Sequence, residues 1–314
     1  MTTVLFNGLK RRRRARNAQK SYTSHRRARH VPMTSSRPPR AWTTAIETLV
    51  IVASMSAVAL HAFARRRRHA LAQLQRASGA TVASSDATTA AAVNVLMLIA
   101  HPDDESYFFA PTIQALKRCE NARVHLCCLS NGDAYGDGEA RKAELLRVKE
   151  MFELDALVVV DTEDLRDGMT TEWPSETIGA VLDAYSEGVA FDYIVTFDAR
   201  GVSGHVNHIA TYEGTEAWLA KKRANTSADA DQKIPEVWML ESTNAIRKFS
   251  GVLDFATSLA ESCIDSKRRV FFASPNPLEV IKACALHKSQ FVWYRKLFLM
   301  FSRFTYMNTL RRMD

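Results

Sequence analysis

From residue 93 onward, short apolar runs rich in β-branched residues alternate with longer stretches of helical periodicity, and no other feature restricts the fold as much. Strands are expected over 93–100, 123–130, 156–161, 193–197, 236–240 and 270–273, and helices over 106–119, 139–152, 175–188 and 205–222. Alternation of this kind joins strands by right-handed crossovers into a mostly parallel sheet with helices on both faces. One α/β domain of three layers is the expected result, and its roughly 220 residues suit a single core. No internal repeat is visible, and the polar stretch 224–233 reads as a surface loop.

The residues before this domain are of another kind. Residues 1–76 hold 17 Lys and Arg against one acid, Glu47, a net of +16, while the other 238 residues carry 25 basic and 33 acidic side chains, a net of −8. The basicity of the whole chain therefore belongs to its front, and a nucleic-acid-binding body loses its compositional support. Residues 42–64 form an apolar run closed by Arg65 to Arg68. As a helix it would reach about 35 Å, enough for a bilayer core of roughly 30 Å. We read it as one transmembrane helix, preceded by a basic, disordered tail over 1–41 and followed by a basic stop and flexible linker over 65–92. A transit-peptide role for the acid-free leader is the alternative.

Five arginines flank each side of the span, so the charge rule gives no orientation. The five cysteines, odd in number and without a framework, suit a reducing compartment and a cytosol-facing body. The Asn225-Thr226-Ser227 sequon would matter only in a lumenal one. At the other end, residues 290–313 interleave Phe, Trp and Tyr with Arg and Lys. That mixture suits either a membrane interface or a final helix packed on the domain.

Two clusters of metal-ligand residue types end two of the expected strands: His101-Pro102-Asp103-Asp104-Glu105 and Gly204-His205-Val206-Asn207-His208. Strand ends are where α/β folds hold ligands. His101 and Asp104, three apart in a loop entering a helix, can reach one ion, and His208 can supply a third ligand. Two histidines, one carboxylate and an open position make a zinc-hydrolase arrangement that Fe(II) or Mn(II) would also accept. Asp103 is the candidate general base for the attacking water. His205 is the candidate to donate a proton or face a developing oxyanion. Either string alone is more often structural; the pair, at strand ends of one domain, carries the inference.

Ala100-His101-Pro102-Asp103-Asp104-Glu105, Ser130-Asn131-Gly132-Asp133-Ala134, Arg141-Lys142-Ala143-Glu144-Leu145, Leu165-Arg166-Asp167-Gly168-Met169 and Gly201-Val202-Ser203-Gly204-His205-Val206-Asn207-His208 together resemble the LmbE-like zinc deacetylases. His287-Lys288-Ser289-Gln290 and Phe301-Ser302-Arg303 resemble the membrane subgroup acting on an N-acetylglucosaminyl-phosphatidylinositol glycolipid in the second step of GPI anchor synthesis. The resemblance covers nearly everything over 93–314 and implies a Rossmann-like three-layer fold and a divalent metal, Zn2+. It implies His101, Asp104 and His208 as metal ligands, Asp103 as general base, His205 as electrostatic or acid partner and Arg141 as a substrate contact. It also implies an endoplasmic reticulum membrane with the catalytic domain facing the cytoplasm.

Tyr135 and Arg200 stand where this family often has small residues, and the Arg-rich leader lies outside the resemblance. The expected activity is metal-dependent removal of an N-acetyl group, with a glycolipid substrate and membrane lipid as partners. The rivals are a deacetylase of a soluble N-acetylglucosamine conjugate and a catalytically silent, membrane-tethered interaction protein.

Overall fold

The computed structural model describes residues 40–66, 70–78, 91–225 and 233–314. Residues 1–39 of the leader, residues 67–69 and 79–90 of the expected linker and the sequon beyond Asn225 lie outside the described residues. The strands are β1 (Val93–Ile99), β2 (Ala122–Cys128), β3 (Ala156–Val159), β4 (Tyr193–Phe197), β5 (Glu236–Leu240), β6 (Arg269–Ala273) and β7 (Met307–Arg312). The helices are α1 (Arg40–Arg66), α2 (Ala70–Ala77), α3 (Ala110–Lys117), α4 (Gly138–Met151), α5 (Ser175–Gly188), α6 (Gly201–Gly204), α7 (Val206–Asn225), α8 (Ala245–Lys248), α9 (Phe255–Ile264), α10 (Pro277–Leu286) and α11 (Trp293–Phe301).

The strands form one sheet in the order β3-β2-β1-β4-β5-β7-β6. The β1, β2, β3, β4 and β5 neighbours pair in parallel, and β7 runs antiparallel to both β5 and β6. Residues 95–99 of β1 are wholly buried, which is why β1 reads as a continuous apolar run rather than an alternating one. From β1 the chain builds outward through β2 to β3, then returns to the other side of β1 with β4 and β5. Right-handed crossovers in the two directions put helices on opposite faces. The reversal leaves a crevice beyond the carboxyl ends of β1 and β4.

Three stretches differ from the sequence reading. The linker expected over 65–92 contains α2, whose Ala70, Leu71, Leu74 and Ala77 are buried in the main core. Their spacing of one, three and three makes a single apolar helix face. The helix expected from 106 instead opens with a π-helical turn, Glu105–Phe109, and becomes α-helical only as Pro111 enters its first turn. A proline there has no N–H to give, so the ladder changes register at that point. Finally, residues 290–313 hold two elements, α11 and then β7, which is inserted between β5 and β6 with Met307 to Leu310 buried.

Within α1, Thr44–Ala64 has a mean hydropathy of 1.8 and is long enough to cross a membrane. Its apolar side chains from Ile46 to Val58 are largely exposed. Its final turn packs on the domain, where the Phe63 ring lies 5.9 Å from Phe255 and 5.3 Å from Phe271.

Candidate active site

The loops after β1 and β4 are both strained at their turning points. In the loop after β1, Asp103 has φ 125, and in the loop after β4, Val202 has φ 60. Non-glycine residues rarely occupy this region, least of all a β-branched one, and such strain persists only where neighbours over-determine it. The Asp103 N–H donates to Glu105 Oε2 at 3.0 Å. Glu105 is itself fixed, since its Oε1 accepts from Ser106 Oγ and meets His287 Nε2, both at 2.6 Å. On the other side, the Val202 N–H donates to Ser242 Oγ at 2.8 Å and Lys248 Nζ donates to the Val202 carbonyl at 3.1 Å. Gly201, with φ 54, leads into this turn, and a Cβ there would stand 2.7 Å from His208 Cβ.

These loops, with Arg141 from α4, bring His101, Asp103, Asp104, Arg141, His205 and His208 to one cavity of about 530 Å³. Nitrogens of the His101, His205 and His208 rings lie within 4.8 Å of one another. Asp104 sits between two of the rings: its Oδ1 is 3.2 Å from His208 Nε2, and its Oδ2 is 3.6 Å from His101 Nδ1 and accepts the His101 N–H at 2.8 Å. The remaining nitrogen of each ring is engaged elsewhere. His208 Nδ1 donates to the Gly201 carbonyl at 3.0 Å, and His101 Nε2 faces Asp167 Oδ1 and Asn207 Oδ1, each at 3.1 Å. Such outer bonds orient the rings so that His208 Nε2 and His101 Nδ1 both face Asp104. Two imidazole nitrogens and a carboxylate directed at one point become, once the nitrogens give up their protons, the donor set of a divalent cation.

The electrostatics agree with that fit. Burial opposes a charge on Asp104, yet His208 and His101 hold its carboxyl well below the usual range. Burial likewise opposes a proton on His101, but Asp104 and Asp167 outweigh it and raise the imidazole to about 10. A buried point with that preference for positive charge favours a cation. His205 behaves in the opposite way: burial, together with His101 and His208, pushes it down to about 4. Its Nδ1 accepts the Asn207 N–H at 3.3 Å, so the neutral ring carries its proton on Nε2.

Asp103 lies beside this cluster between two guanidinium groups. Arg295, from α11, pairs with its Oδ2, and Arg141 Nη2 is 3.5 Å from the same oxygen. Arg141 is anchored in turn by the carbonyls of Gly132 and Pro102 at 2.8 and 2.9 Å and by Asp167 Oδ2 at 3.2 Å. Sequence reasoning gave no role to Asp167, Asn207, Glu105, His287 or Arg295. Asp167 and His287 fall within strings that already stood out, and Asn207 and Glu105 within the two clusters themselves. Arg295 had no local signal beyond its aromatic neighbours.

Comparisons with known proteins follow the same lines. Residues 96–219 match the family described as PIG-L: GlcNAc-PI de-N-acetylase. The probable N-acetylglucosaminyl-phosphatidylinositol de-N-acetylase of Schizosaccharomyces pombe is 34% identical over 240 residues, spanning 75% of this chain and 93% of that protein. The N-acetylglucosaminyl-phosphatidylinositol de-N-acetylase of Bos taurus is 33% identical, spanning 68% of this chain and 81% of its own. Among solved structures, N,N'-diacetylchitobiose deacetylase from Pyrococcus horikoshii shares the fold with a TM-score of 0.52 at 15% identity, over 71% of this chain and 84% of that one.

Proposed function

The chain belongs to the GlcNAc-PI de-N-acetylase family, and from that premise we propose that it hydrolyses the N-acetyl group of N-acetylglucosaminyl-phosphatidylinositol. The products are acetate and glucosaminyl-phosphatidylinositol, a step of GPI anchor synthesis. The observation that carries the reading is the convergence of His101 and His208 on Asp104, with Asp103 alongside in the same cavity.

In this reading His101, Asp104 and His208 hold a divalent cation, Zn2+ by the nature of two imidazoles and one carboxylate. When bound, such an ion supplies Lewis-acid polarisation of the amide and activation of water. The other roles belong to the chain. Asp103, oriented by Arg295 and Arg141, takes the proton from the water that attacks the acetyl carbon. His205 Nε2–H donates toward the carbonyl oxygen as negative charge develops on it. As the C–N bond breaks, the proton held by Asp103 passes to the departing amine, and Asp103 returns to its starting state. Arg141, held on three sides at the cavity wall, contacts the substrate.

Thr44–Ala64 gives a lipid-borne substrate and its enzyme the same two-dimensional space, raising the effective concentration of each for the other. The proposed location is the endoplasmic reticulum membrane with the domain facing the cytoplasm. That side is supported by Cys119, Cys127, Cys128, Cys263 and Cys284, all of them free thiols.

The test is release of acetate and free amine from N-acetylglucosaminyl-phosphatidylinositol by the purified full chain in detergent. Asp103→Ala and chelator treatment should each abolish turnover, with added Zn2+ restoring only the chelated enzyme. A folded, metal-loaded wild type that releases no acetate would refute the reading.

A further inference from the structure

Exposed aromatic and aliphatic side chains gather around the mouth of the catalytic cavity, and α11 contributes most of them. Trp293, Tyr294, Leu297, Met300 and Phe301 are 72%, 57%, 47%, 59% and 51% exposed. Their spacing of one, three, three and one places them on one face of the helix. The opposite face points inward: Leu299 is buried, and Arg295 reaches Asp103. The apolar surface continues beyond α11. Phe249, Tyr294 and Phe298 line both the catalytic cavity and an adjoining apolar groove that ends at Leu297 and Phe301. Across the mouth, Tyr135 and Met169, 90% and 65% exposed, line the same cavity from the loops after β2 and β3.

A surface of this kind on a folded domain marks an interaction site. We infer that the rim formed by α11, Phe249, Tyr135 and Met169 seats on the headgroup layer of a phospholipid bilayer, so that the cavity opens where a lipid-linked sugar lies. Composition favours a bilayer over a protein partner. Trp and Tyr are the residues that prefer the membrane interface, and cations stand among them. The Lys248 ammonium is 5.8 Å from the Phe249 ring centre and 5.9 Å from that of Phe298, and Lys296 is 5.0 Å from that of Phe291. Lysines set over aromatic rings, Lys296 above all since Lys248 also holds the Val202 carbonyl, suit anionic headgroups above apolar chains. The span over Thr44–Ala64 already confines the chain to a membrane, so the rim needs only to orient the domain on it.

The inference rests on the reading of the chain as an enzyme of a membrane lipid, and two measurements separate them. The first needs no turnover. Full-length wild type and Trp293→Phe are reconstituted in phosphatidylcholine and phosphatidylinositol vesicles with and without brominated acyl chains. The fluorescence difference between the two proteins reports Trp293 alone, because Trp173, Trp218 and Trp238 are buried and every other tryptophan is common to both. Quenching of that difference by the brominated lipid is expected. An unquenched difference overturns the inference, whatever the enzyme does.

The second compares wild type with the double variant Leu297→Asp, Met300→Asp, both positions outside the catalytic cavity. On vesicle-borne substrate the variant should lose roughly tenfold or more in rate, and on a short-chain, water-soluble analogue it should stay within about twofold of wild type. Equal rates on vesicles, or equal losses on both substrates, overturn the docking role, as does self-association of the wild type that the variant abolishes. A wild type inactive on both substrates refutes the enzymatic reading instead, and the quenching result still decides the docking.

Discussion

Replacing Gly201 by alanine separates backbone strain from collision, because Gly204 supplies a matched control in the same turn. Both have positive φ, 54 and 75. A Cβ on Gly201 would stand 2.7 Å from His208 Cβ, 3.1 Å from the Ile209 nitrogen and 3.2 Å from Ile209 Cγ1, whereas one on Gly204 meets nothing within 4 Å. An L-residue forced into this region costs roughly 1–2 kcal/mol, and that is the whole expected effect of Gly204→Ala. Gly201→Ala adds overpacking of about 1–3 kcal/mol, for a total near 2–5 kcal/mol. For a domain of this size each kcal/mol moves Tm by about 2–4 °C, so Gly204→Ala should melt a few degrees low and Gly201→Ala roughly 5–15 °C low. Relief of the collision must also move His208, whose Nδ1 depends on the Gly201 carbonyl at 3.0 Å. Displacements approaching 1 Å at a reacting group cost about a hundredfold, so a shift of half that should cut kcat/KM by roughly tenfold in Gly201→Ala alone. Thermal melts and turnover of the two variants in detergent decide the matter. Equal Tm values and turnover within twofold of each other would refute the collision argument.

Further outcomes follow from the same geometry. His208→Ala should leave the fold intact and weaken binding of a divalent metal by more than about a hundredfold, which elemental analysis of the purified protein against wild type will show. His287 gives a stability effect with a definite sign. Burial lowers its pKa, but Glu105, helped by Asp103 and Glu144, more than reverses this, so the folded value is raised. Its stabilisation is complete below the unfolded value of about 6.5 and is lost as pH rises through the raised folded value; denaturant midpoints should show wild type exceeding His287→Gln by more near pH 6 than near pH 9. Arg303 is wholly buried and paired with Asp254 at 2.9 Å, and Arg247 pairs with the same carboxylate. Arg303→Met should therefore cost about 3 kcal/mol, the low end for breaking a buried pair, by chemical denaturation.

What the sequence made legible was local. The bounds of β4, β5 and α5 match the periodicity residue for residue, because each is a short, strongly patterned element between clear breakers. The six candidate residues could be picked out and found in one cavity because five lie in the loops and helix starts after β1 and β4, and Arg141 lies in the first turn of the helix after β2. The strand β7 was not. Its sequence, Met-Asn-Thr-Leu-Arg-Arg, places Asn308 and Thr309 where an interior strand should be apolar. Asn308 is tolerated there by distant partners: its Oδ1 accepts from the Thr112 N–H and Oγ1 at 3.1 and 2.7 Å, and its Nδ2 donates to the Phe108 carbonyl at 2.8 Å. A polar residue satisfied across 200 positions leaves no trace in a local pattern.

The same distance explains the missing part of the site. Asp103 is oriented by Arg295 from 192 residues away, and Glu105, which accepts its N–H, is held by His287 from 182 residues away. Asn308 grips the π-helical turn that follows them. Three groups from the segment after α10 thus converge on the one loop where a non-glycine residue is held at φ 125. Such strain persists only when its surroundings leave no easier conformation, and here those surroundings come from the segment after α10. The aromatic and basic pattern of residues 290–313, read from sequence as either membrane-facing or packed, reflects two faces of one helix. Trp293, Leu297 and Met300 look outward, and Arg295 turns inward to the Asp103 carboxylate.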